Sequence, residues 1–221
     1  MNTQPSRVKI SEIAAKYERD GFAVIVEPDP GAVPFDLDRY RPALLASKGD
    51  EHHIVEVRDS ATRVSVDRYQ ELAEEIGRHP GWRFFLVTCD DLGPEGVPAS
   101  SPLLSWDDLR ERWRAAPRLL ELGANEAAIV WLWAILEGML RLQATRVSLP
   151  IERFPTRGLL DHMYSHGELS MEQYDRALEV LSLRNAVAHG FAAEGVESAA
   201  AQMLDVVGEL SERWSRQSAA A

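Results

Sequence analysis

Hydrophobic and polar residues follow two different periods in the first 92 residues of the chain. Apolar positions spaced by three and four residues predict a helix over 11–20, with Ser11 as its N-cap, and another over 66–77. Runs rich in β-branched and aromatic residues, or with strict alternation, predict strands over 22–28, 35–41, 52–58 and 82–89. The predicted order is therefore helix, three strands, helix and strand, an αβββαβ arrangement.

Beyond residue 104 the pattern is helical. The segments SWDD (105–108) and SMEQ (170–173) have the form of capping boxes, in which a serine and an acidic or amide residue three positions later begin a helix. Residues 125–143 are apolar around nearly the whole helical circumference, which is typical of a helix buried inside a bundle. Further helices are predicted over 155–169, 171–189 and 196–214.

A segment without any period separates the two halves. Residues 90–102 are rich in Gly, Pro and Ser, a composition typical of a linker. We therefore predict an α+β protein of two domains. Residues 1–92 form a mixed domain, residues 93–104 a linker, and residues 105–221 an all-α bundle.

Composition limits the classes of function. The net charge is −11, so the chain has no global basic field, and contact with a nucleic acid needs a local basic cluster. The single Cys89 cannot form an internal disulfide, and its apolar surroundings predict a core residue. The N-terminus has no apolar signal region, and the most apolar segment, 127–136, is shorter than a bilayer span. We expect a soluble cytoplasmic protein that does not contact a membrane.

The stretch LRNAVAHG (183–190) ends the predicted helix over 171–189 with one arginine and one histidine. Asn185 and His189 are four residues apart and share a helix face, and the long side chain of Arg184 can turn toward the same surface. An arginine that binds a phosphate and a histidine that moves a proton are suited to RNA cleavage without a metal. The alternative is structural: His189 caps the helix, and Arg184 pairs with Glu179 or Glu137.

The segment RNAVAH resembles the R-x4-H motif of the HEPN superfamily, and the preceding run GELSMEQYDRALEVLSLRN is similar to the text before that motif. The resemblance covers about residues 118–215. It implies a helical bundle, usually a homodimer whose two motifs face a shared cleft. Many members are metal-independent endoribonucleases, which implies Arg184 and His189 as the catalytic pair and Asn185 as their helper. Other members serve in dimerisation or ligand binding.

The order of elements over residues 11–89 resembles the restriction-endonuclease-like, PD-(D/E)xK, superfamily. The segments PFDLDRYR (34–41) and HHIVEVR (52–58) carry Asp36, Glu56 and Arg58 on predicted strands. The resemblance implies that Asp36 and Glu56 bind Mg²⁺, and that Arg58 stands where the family has a catalytic lysine. Arginine keeps the charge but cannot give up its proton to activate water.

Other residues could complete that N-terminal site. Asp29 and Pro30 precede Asp36 in a loose form of the first family motif, and Gln70 stands where some relatives have a helper glutamine. A further carboxylate could come from Glu12 or Glu18 of the first helix. The alternative is a strand whose charged face is simply solvated.

Arginine and tryptophan are mixed in WDDLRERWR (106–114). Arg110, Arg112 and Arg114 could follow a phosphate backbone, although a solvated helix face has the same pattern. The histidine pairs His52–His53 and His162–His166 lack a nearby third ligand, so no zinc site is predicted.

Three functional hypotheses follow. The first is a HEPN endoribonuclease that acts on RNA in prokaryotic defence or stress, needs no cofactor, and carries a PD-(D/E)xK domain that recognises nucleic acid and has weakened or lost catalysis. The second is a Mg²⁺-dependent DNA endonuclease that uses Asp36, Glu56 and Arg58. The third is a non-catalytic, dimeric binding or scaffold protein, which the sequence pI of about 5.0 favours mildly.

Overall fold

The computed structural model describes residues 7–37, 40–58, 66–88, 102–151 and 154–218. The chain divides into two compact units, Met1–Pro102 with Ala144–Leu159 and Leu103–Gln143 with Leu160–Ala221. The first contains a mixed sheet and the second is helical, so the protein is α+β. Residues 144–159 belong to the first unit, although their pattern placed them in the helical domain. Cys89 and most of the predicted linker lie outside the described residues.

The first unit follows the predicted αβββαβ order. Its elements are α1 (Arg7–Arg19), β1 (Ala23–Val26), β2 (Leu44–Lys48), β3 (Glu51–Arg58), α2 (Asp67–Gly77) and β4 (Trp82–Thr88). The four strands lie in the order β1-β2-β3-β4. The pairs β1–β2 and β2–β3 are antiparallel, whereas β4 runs parallel to β3 after a connection through α2. A parallel neighbour requires such a crossover connection.

Two local predictions are wrong. Residues 35–41 contain no strand among those that the structure describes, and the second strand is Leu44–Lys48. Leu44, Leu45 and Ala46 are buried in succession because β2 is an inner strand, so its residues do not alternate between apolar and polar. Ser11 is not an N-cap either: it lies inside α1, and its hydroxyl donates to the backbone oxygen of Arg7 at 2.9 Å.

One face of the sheet packs against α1. The buried residues of this core share apolar side chains and come from α1 and all four strands or their ends: Ile10, Ile13, Ala14, Tyr17, Phe22, Leu44, Ala46, Val55, Val57, Phe85 and Val87. Successive residues of a strand point to opposite faces. Val55 and Val57 face this core, and consequently Glu56 and Arg58 both point to the opposite face, where α2 lies.

The second unit is built from α3 (Trp106–Glu121) and α4 (Asn125–Arg146), followed by α5 (Thr156–Ser165), α6 (Met171–Ala188) and α7 (Val196–Ser218). Parts of α4 and α5 belong to the first unit. Both predicted capping boxes are confirmed: Ser105 exchanges bonds with Asp108, and Ser170 with Gln173. These reciprocal bonds satisfy N–H groups that have no partner inside the helix.

Helix α4 is longer than its most apolar segment. Its 22 residues would suffice to cross a membrane by length and composition, and 56% of its most apolar window is buried within the structure. Core helices of bundles share these properties. Leu132, Trp133 and Leu136 are fully or almost fully buried, but Val130 and Trp131 are 36% and 38% exposed, so α4 is not buried on all sides as its apolar pattern predicts.

Candidate functional site

The carboxyl-terminal end of β3 lies at a cavity of about 380 Å³ in the first unit. Its lining mixes both signs of charge, and the charged residues are Arg7, Glu27, Asp29, Arg41, Glu56 and Arg58. Glu56 and Arg58 reach it because they are two residues apart on one strand and share a face. The structure therefore brings together the two β3 residues that the sequence indicated.

Glu56 is 5% exposed, and both of its carboxylate oxygens have donors. The Tyr40 hydroxyl donates to Oε2 at 2.5 Å. Arg58 Nη2 lies 2.6 Å from Oε1, which forms an ion pair. A buried carboxylate needs such partners, because burial alone would strongly disfavour its charge.

Arg58 is fixed from its other side by α2. Its Nε donates to the Tyr69 hydroxyl at 2.7 Å, and Nη2 contacts the same oxygen. Burial opposes the charge of Arg58, but Glu56 and Tyr69 raise the pKa of its guanidinium above the ordinary value. Arg58 is therefore a permanent cation at this site.

Tyr40 is the second donor to Glu56, and its environment keeps its proton in place. Burial first, and then the charge of Glu56, raise the pKa of the Tyr40 hydroxyl far above the ordinary value of 10.0. Tyr40 therefore remains a neutral donor. We name the group of Tyr40, Glu56, Arg58 and Tyr69 the Glu56 cluster.

The Glu56 cluster does not fit a bound Mg²⁺. A magnesium ion needs carboxylate oxygens at about 2.0–2.1 Å in octahedral geometry, whereas both Glu56 oxygens already accept from protein donors. Within the described part of the chain, no three residues among His, Cys, Asp and Glu form a group that could hold a metal ion. We therefore derive no catalytic step through a metal at Glu56.

The other residues predicted for this site are dispersed. Asp36 is exposed, lies outside any strand, and is not among the residues that line the cavity. Asp29 does line it. Gln70 donates instead to the backbone oxygen of Val147 at 3.3 Å. Glu12 pairs with Lys9 on the exposed side of α1. The predicted partnership of Asp36 with Glu56 required a strand at 35–41, and the residues of this segment that the structure describes form none.

The arginine, asparagine and histidine of the second unit lie at the end of α6. Arg184 is half-buried, and its Nη1 donates to Oδ1 of Asn185 at 2.8 Å. Its Nε is buried without a hydrogen-bond partner among the described residues. Asn185 and His189 are exposed and lie one helical turn apart. The backbone N–H of His189 donates to the backbone oxygen of Asn185 at 3.1 Å.

Glu179 and Glu137, the acidic residues that could pair with Arg184 in a structural role, form ion pairs with other arginines. Glu179 forms an ion pair with Arg176 at 2.7 Å, and Glu137 with Arg141 at 2.5 Å. In the part of the chain that the structure describes, no ion pair joins Arg184 to a carboxylate. His189 does occupy the C-cap position, and its ring is exposed to solvent there.

Helix α6 ends in a turn that is followed by an exposed aromatic residue, Phe191. Gly190 has a φ of +77°, a conformation that glycine adopts without strain. The N–H of Phe191 then donates to the Ala186 oxygen at 2.8 Å, which fixes the backbone. The Phe191 side chain is 70% exposed. In the sequence, only the aromatic side chain of Phe191 could have indicated a functional role for this residue.

The three arginines of α3 do not form one row. Arg110 pairs with Asp107 at 2.7 Å and donates to the Ser215 hydroxyl. The guanidinium of Arg112 lies over the ring of Trp131, 5.5 Å from its centroid. Arg114 is exposed and lines, with Arg110, a groove of about 510 Å³ between α3 and α7.

The histidine pairs have local contacts. His53 is buried among aromatic rings, and His52 stacks on Trp82 at 4.5 Å. His166 contacts the backbone oxygen of His162 through Nδ1, and the two rings are 6.5 Å apart.

Sequence reasoning missed Tyr40 and Tyr69. Tyr40 precedes β2, and Tyr69 lies on α2, so both reach Glu56 and Arg58 only through the tertiary fold. The apolar spacing of α2 includes Tyr69 as a helix residue, but it does not indicate the contact with Arg58.

The comparisons with known proteins bear on the N-terminal half. A family model described as REase_AHJR-like, a restriction endonuclease-like family, matches residues 2–116, a little more than half of the chain. The match covers the entire αβββαβ arrangement and extends into α3. No curated protein and no solved structure matches the chain. Because of the sheet topology and this match, the chain belongs to the AHJR-like family of restriction endonuclease-like, nucleic-acid-processing proteins.

Proposed function

We propose that the chain is a metal-independent endoribonuclease of the HEPN type, with its active residues Arg184, Asn185 and His189 at the end of α6. One observation carries the proposal. The guanidinium of Arg184 bonds the Asn185 amide and no carboxylate within the described residues, while Asn185 and His189 are exposed. An RNA phosphate can therefore approach a cation that forms no ion pair with an acidic residue in the described part of the chain.

The proposed reaction is a transesterification within the RNA. His189 removes the proton of a 2′-hydroxyl, and the 2′-oxygen attacks the adjacent phosphorus. The bond from phosphorus to the 5′-oxygen breaks, and that oxygen takes up the proton that His189 removed, returned directly or through water. Arg184 donates to the non-bridging phosphate oxygens, whose charge increases in the transition state. The products carry a 2′,3′-cyclic phosphate and a 5′-hydroxyl.

Asn185 has two parts in this proposal. Its Oδ1 accepts from Arg184 Nη1 and so limits the orientations of the guanidinium. Its amide N–H₂ is then left to donate toward the substrate. Asn185 is a positioning residue for Arg184 and a helper in binding.

We further propose that the active form is a homodimer, that its substrate is RNA, and that the first unit recognises nucleic acid. The apolar helix α4 leaves Val130 and Trp131 partly exposed, at 36% and 38%, and such side chains are suited to a subunit interface. By the HEPN resemblance, the biological setting is prokaryotic defence or stress.

The test is cleavage of a single-stranded RNA by the purified full-length protein in excess EDTA. We expect cleavage by the wild type and its loss in His189→Ala. The matched control is His166→Ala, which removes a histidine of the same unit outside the proposed site. Equal cleavage by wild type and His189→Ala would refute the assignment.

Family membership favours a second candidate, a Mg²⁺-dependent DNA endonuclease in the first unit. The pairing of Glu56 with Arg58 opposes it. DNA cleavage that chelation and Glu56→Ala abolish, and that His189→Ala leaves unchanged, would select this candidate. If neither nucleic acid is cut and the dimer persists, the protein is a non-catalytic scaffold.

A further inference from the structure

We propose that the guanidinium of Arg58 serves as the fixed cation of Glu56, so that Glu56 does not bind a divalent metal ion and the Glu56 cluster is a structural clamp. The proposal is independent of RNA cleavage by the second unit. It explains how a chain of this family can carry an acidic residue on β3 that does not bind a metal ion.

The geometry of the ion pair supports this role. Arg58 Nη2 approaches Glu56 Oε1 to 2.6 Å, and the side chains of Arg58 and Glu56 are 23% and 7% exposed. A guanidinium at this distance neutralises the carboxylate and takes up one lone pair of Oε1. The Tyr40 hydroxyl takes up one lone pair of Oε2. A Mg²⁺ ion would have to bind beside a fixed cation and lose part of its own water shell.

The residues of the Glu56 cluster come from three separate segments of the first unit. Tyr40 precedes β2, Glu56 and Arg58 end β3, and Tyr69 belongs to α2. The hydrogen bonds therefore tie a loop, an inner strand and the crossover helix to one another. Loss of the Glu56 charge would leave Arg58 without its carboxylate and release Tyr40. In a vacant metal site the effect would be reversed, because clustered carboxylates repel one another and removal of one is stabilising.

This contrast gives an experiment that needs no nuclease activity. Thermal unfolding of the full-length protein is followed by calorimetry with and without a millimolar excess of Mg²⁺ or Mn²⁺. We expect neither ion to raise the Tm of the wild type, since an ion that does not bind the native state cannot stabilise it. We expect Glu56→Gln to lower the Tm by about 10 °C.

The matched control is Glu27→Gln, which removes a carboxylate that lines the same cavity but is exposed. This variant should keep the Tm within about 1 °C of the wild type. Tyr40→Phe removes a single hydroxyl and should lower the Tm by less than Glu56→Gln does. If Glu56→Gln does not fold, Tyr40→Phe and the effect of the metal ions on the wild type still decide the question.

Two results would overturn the proposal. One is a rise of the wild-type Tm with Mg²⁺ or Mn²⁺ that Glu56→Gln abolishes. The other is a Glu56→Gln protein as stable as the wild type, or more stable. Neither result bears on RNA cleavage at His189, so failure of this proposal is distinguishable from failure of the proposed function.

Discussion

Nη1 of Arg184 donates to Oδ1 of the neighbouring Asn185 at 2.8 Å, at the end of a helix whose next turn exposes His189. The bond holds a cation with an amide, so it limits rotation of the guanidinium without neutralising it. A phosphate that approaches this end of α6 can therefore pair with the positive charge of Arg184. The proposed ribonuclease activity depends on this relationship.

Substitution of Arg184 should remove most of the activity. Arg184→Ala takes away the donors to the phosphate, and we expect single-turnover cleavage of RNA to slow by about 100-fold. Arg184→Lys keeps the charge but lacks the planar fork of donors, and we expect a loss of about tenfold. Single-turnover rates at saturating protein measure both. Equal rates for wild type and Arg184→Ala would contradict a role in the reaction.

Asn185→Ala should have a smaller effect, because Asn185 acts through Arg184. We expect cleavage to slow by about tenfold. Rescue distinguishes this role from a structural one: Asn185→Gln retains an amide that can reach Arg184 and should recover part of the rate. The Tm of Asn185→Ala and of Asn185→Gln should equal that of the wild type, since Asn185 is exposed. A large drop in Tm for Asn185→Ala would show that the residue acts on folding instead.

Phe191 should contribute to RNA binding. Its backbone is fixed by the bond to Ala186, and its side chain is 70% exposed two residues after His189, so an unpaired base can stack on it. We expect Phe191→Ala to weaken binding of single-stranded RNA by about tenfold and Phe191→Trp to preserve it. Fluorescence anisotropy with a labelled RNA measures the Kd. Unchanged affinity in Phe191→Ala would exclude stacking.

The raised pKa of Tyr40 predicts a loss of stability in alkaline solution. Above pH 10.0, the ordinary pKa of tyrosine, the unfolded chain releases the Tyr40 proton while the folded chain retains it. The free energy of unfolding should therefore fall as pH rises, by about 1.4 kcal/mol per pH unit for this one group.

Tyr40→Phe isolates that contribution. The variant should be less stable than the wild type at neutral pH, because Glu56 loses a donor, by about 1–2 kcal/mol. Its stability should also fall less steeply above a pH of about 10. Denaturant unfolding at several pH values measures both effects, and identical slopes for the two proteins would contradict the burial of Tyr40 beside Glu56.

Much of the fold follows from local sequence patterns. The capping boxes at Ser105 and Ser170 and the presence of a helix at α4 depend on neighbouring residues, and the structure confirms them, although Trp131 of α4 is exposed. Residues 35–41 alternate as a strand does, yet they form none within the described residues. Leu44–Lys48 forms the strand instead. Successive residues of β2 are buried on both faces of the sheet, so a continuous apolar run suits this strand better than an alternating one.

In the candidate sites, too, local periodicity predicts some of the contacts, and the tertiary fold determines the others. The period of a strand predicts that Glu56 and Arg58 share a face, and the period of a helix predicts the same of Asn185 and His189. The contacts of Tyr40 with Glu56 and of Tyr69 with Arg58 join residues 16 and 11 positions apart. No periodicity encodes such contacts, because they depend on how a loop and a helix return to the sheet.

RNA with a single 2′-deoxy nucleotide tests the central claim most directly. The wild-type protein first cuts an all-ribose RNA in excess EDTA, and the cut position is mapped. The same RNA is then made without the 2′-hydroxyl that precedes that bond. We predict cleavage of the ribose RNA to a 2′,3′-cyclic phosphate and no cleavage of the deoxy RNA at that position. Equal cleavage of both RNAs, or cleavage of neither, would contradict a ribonuclease built on Arg184 and His189.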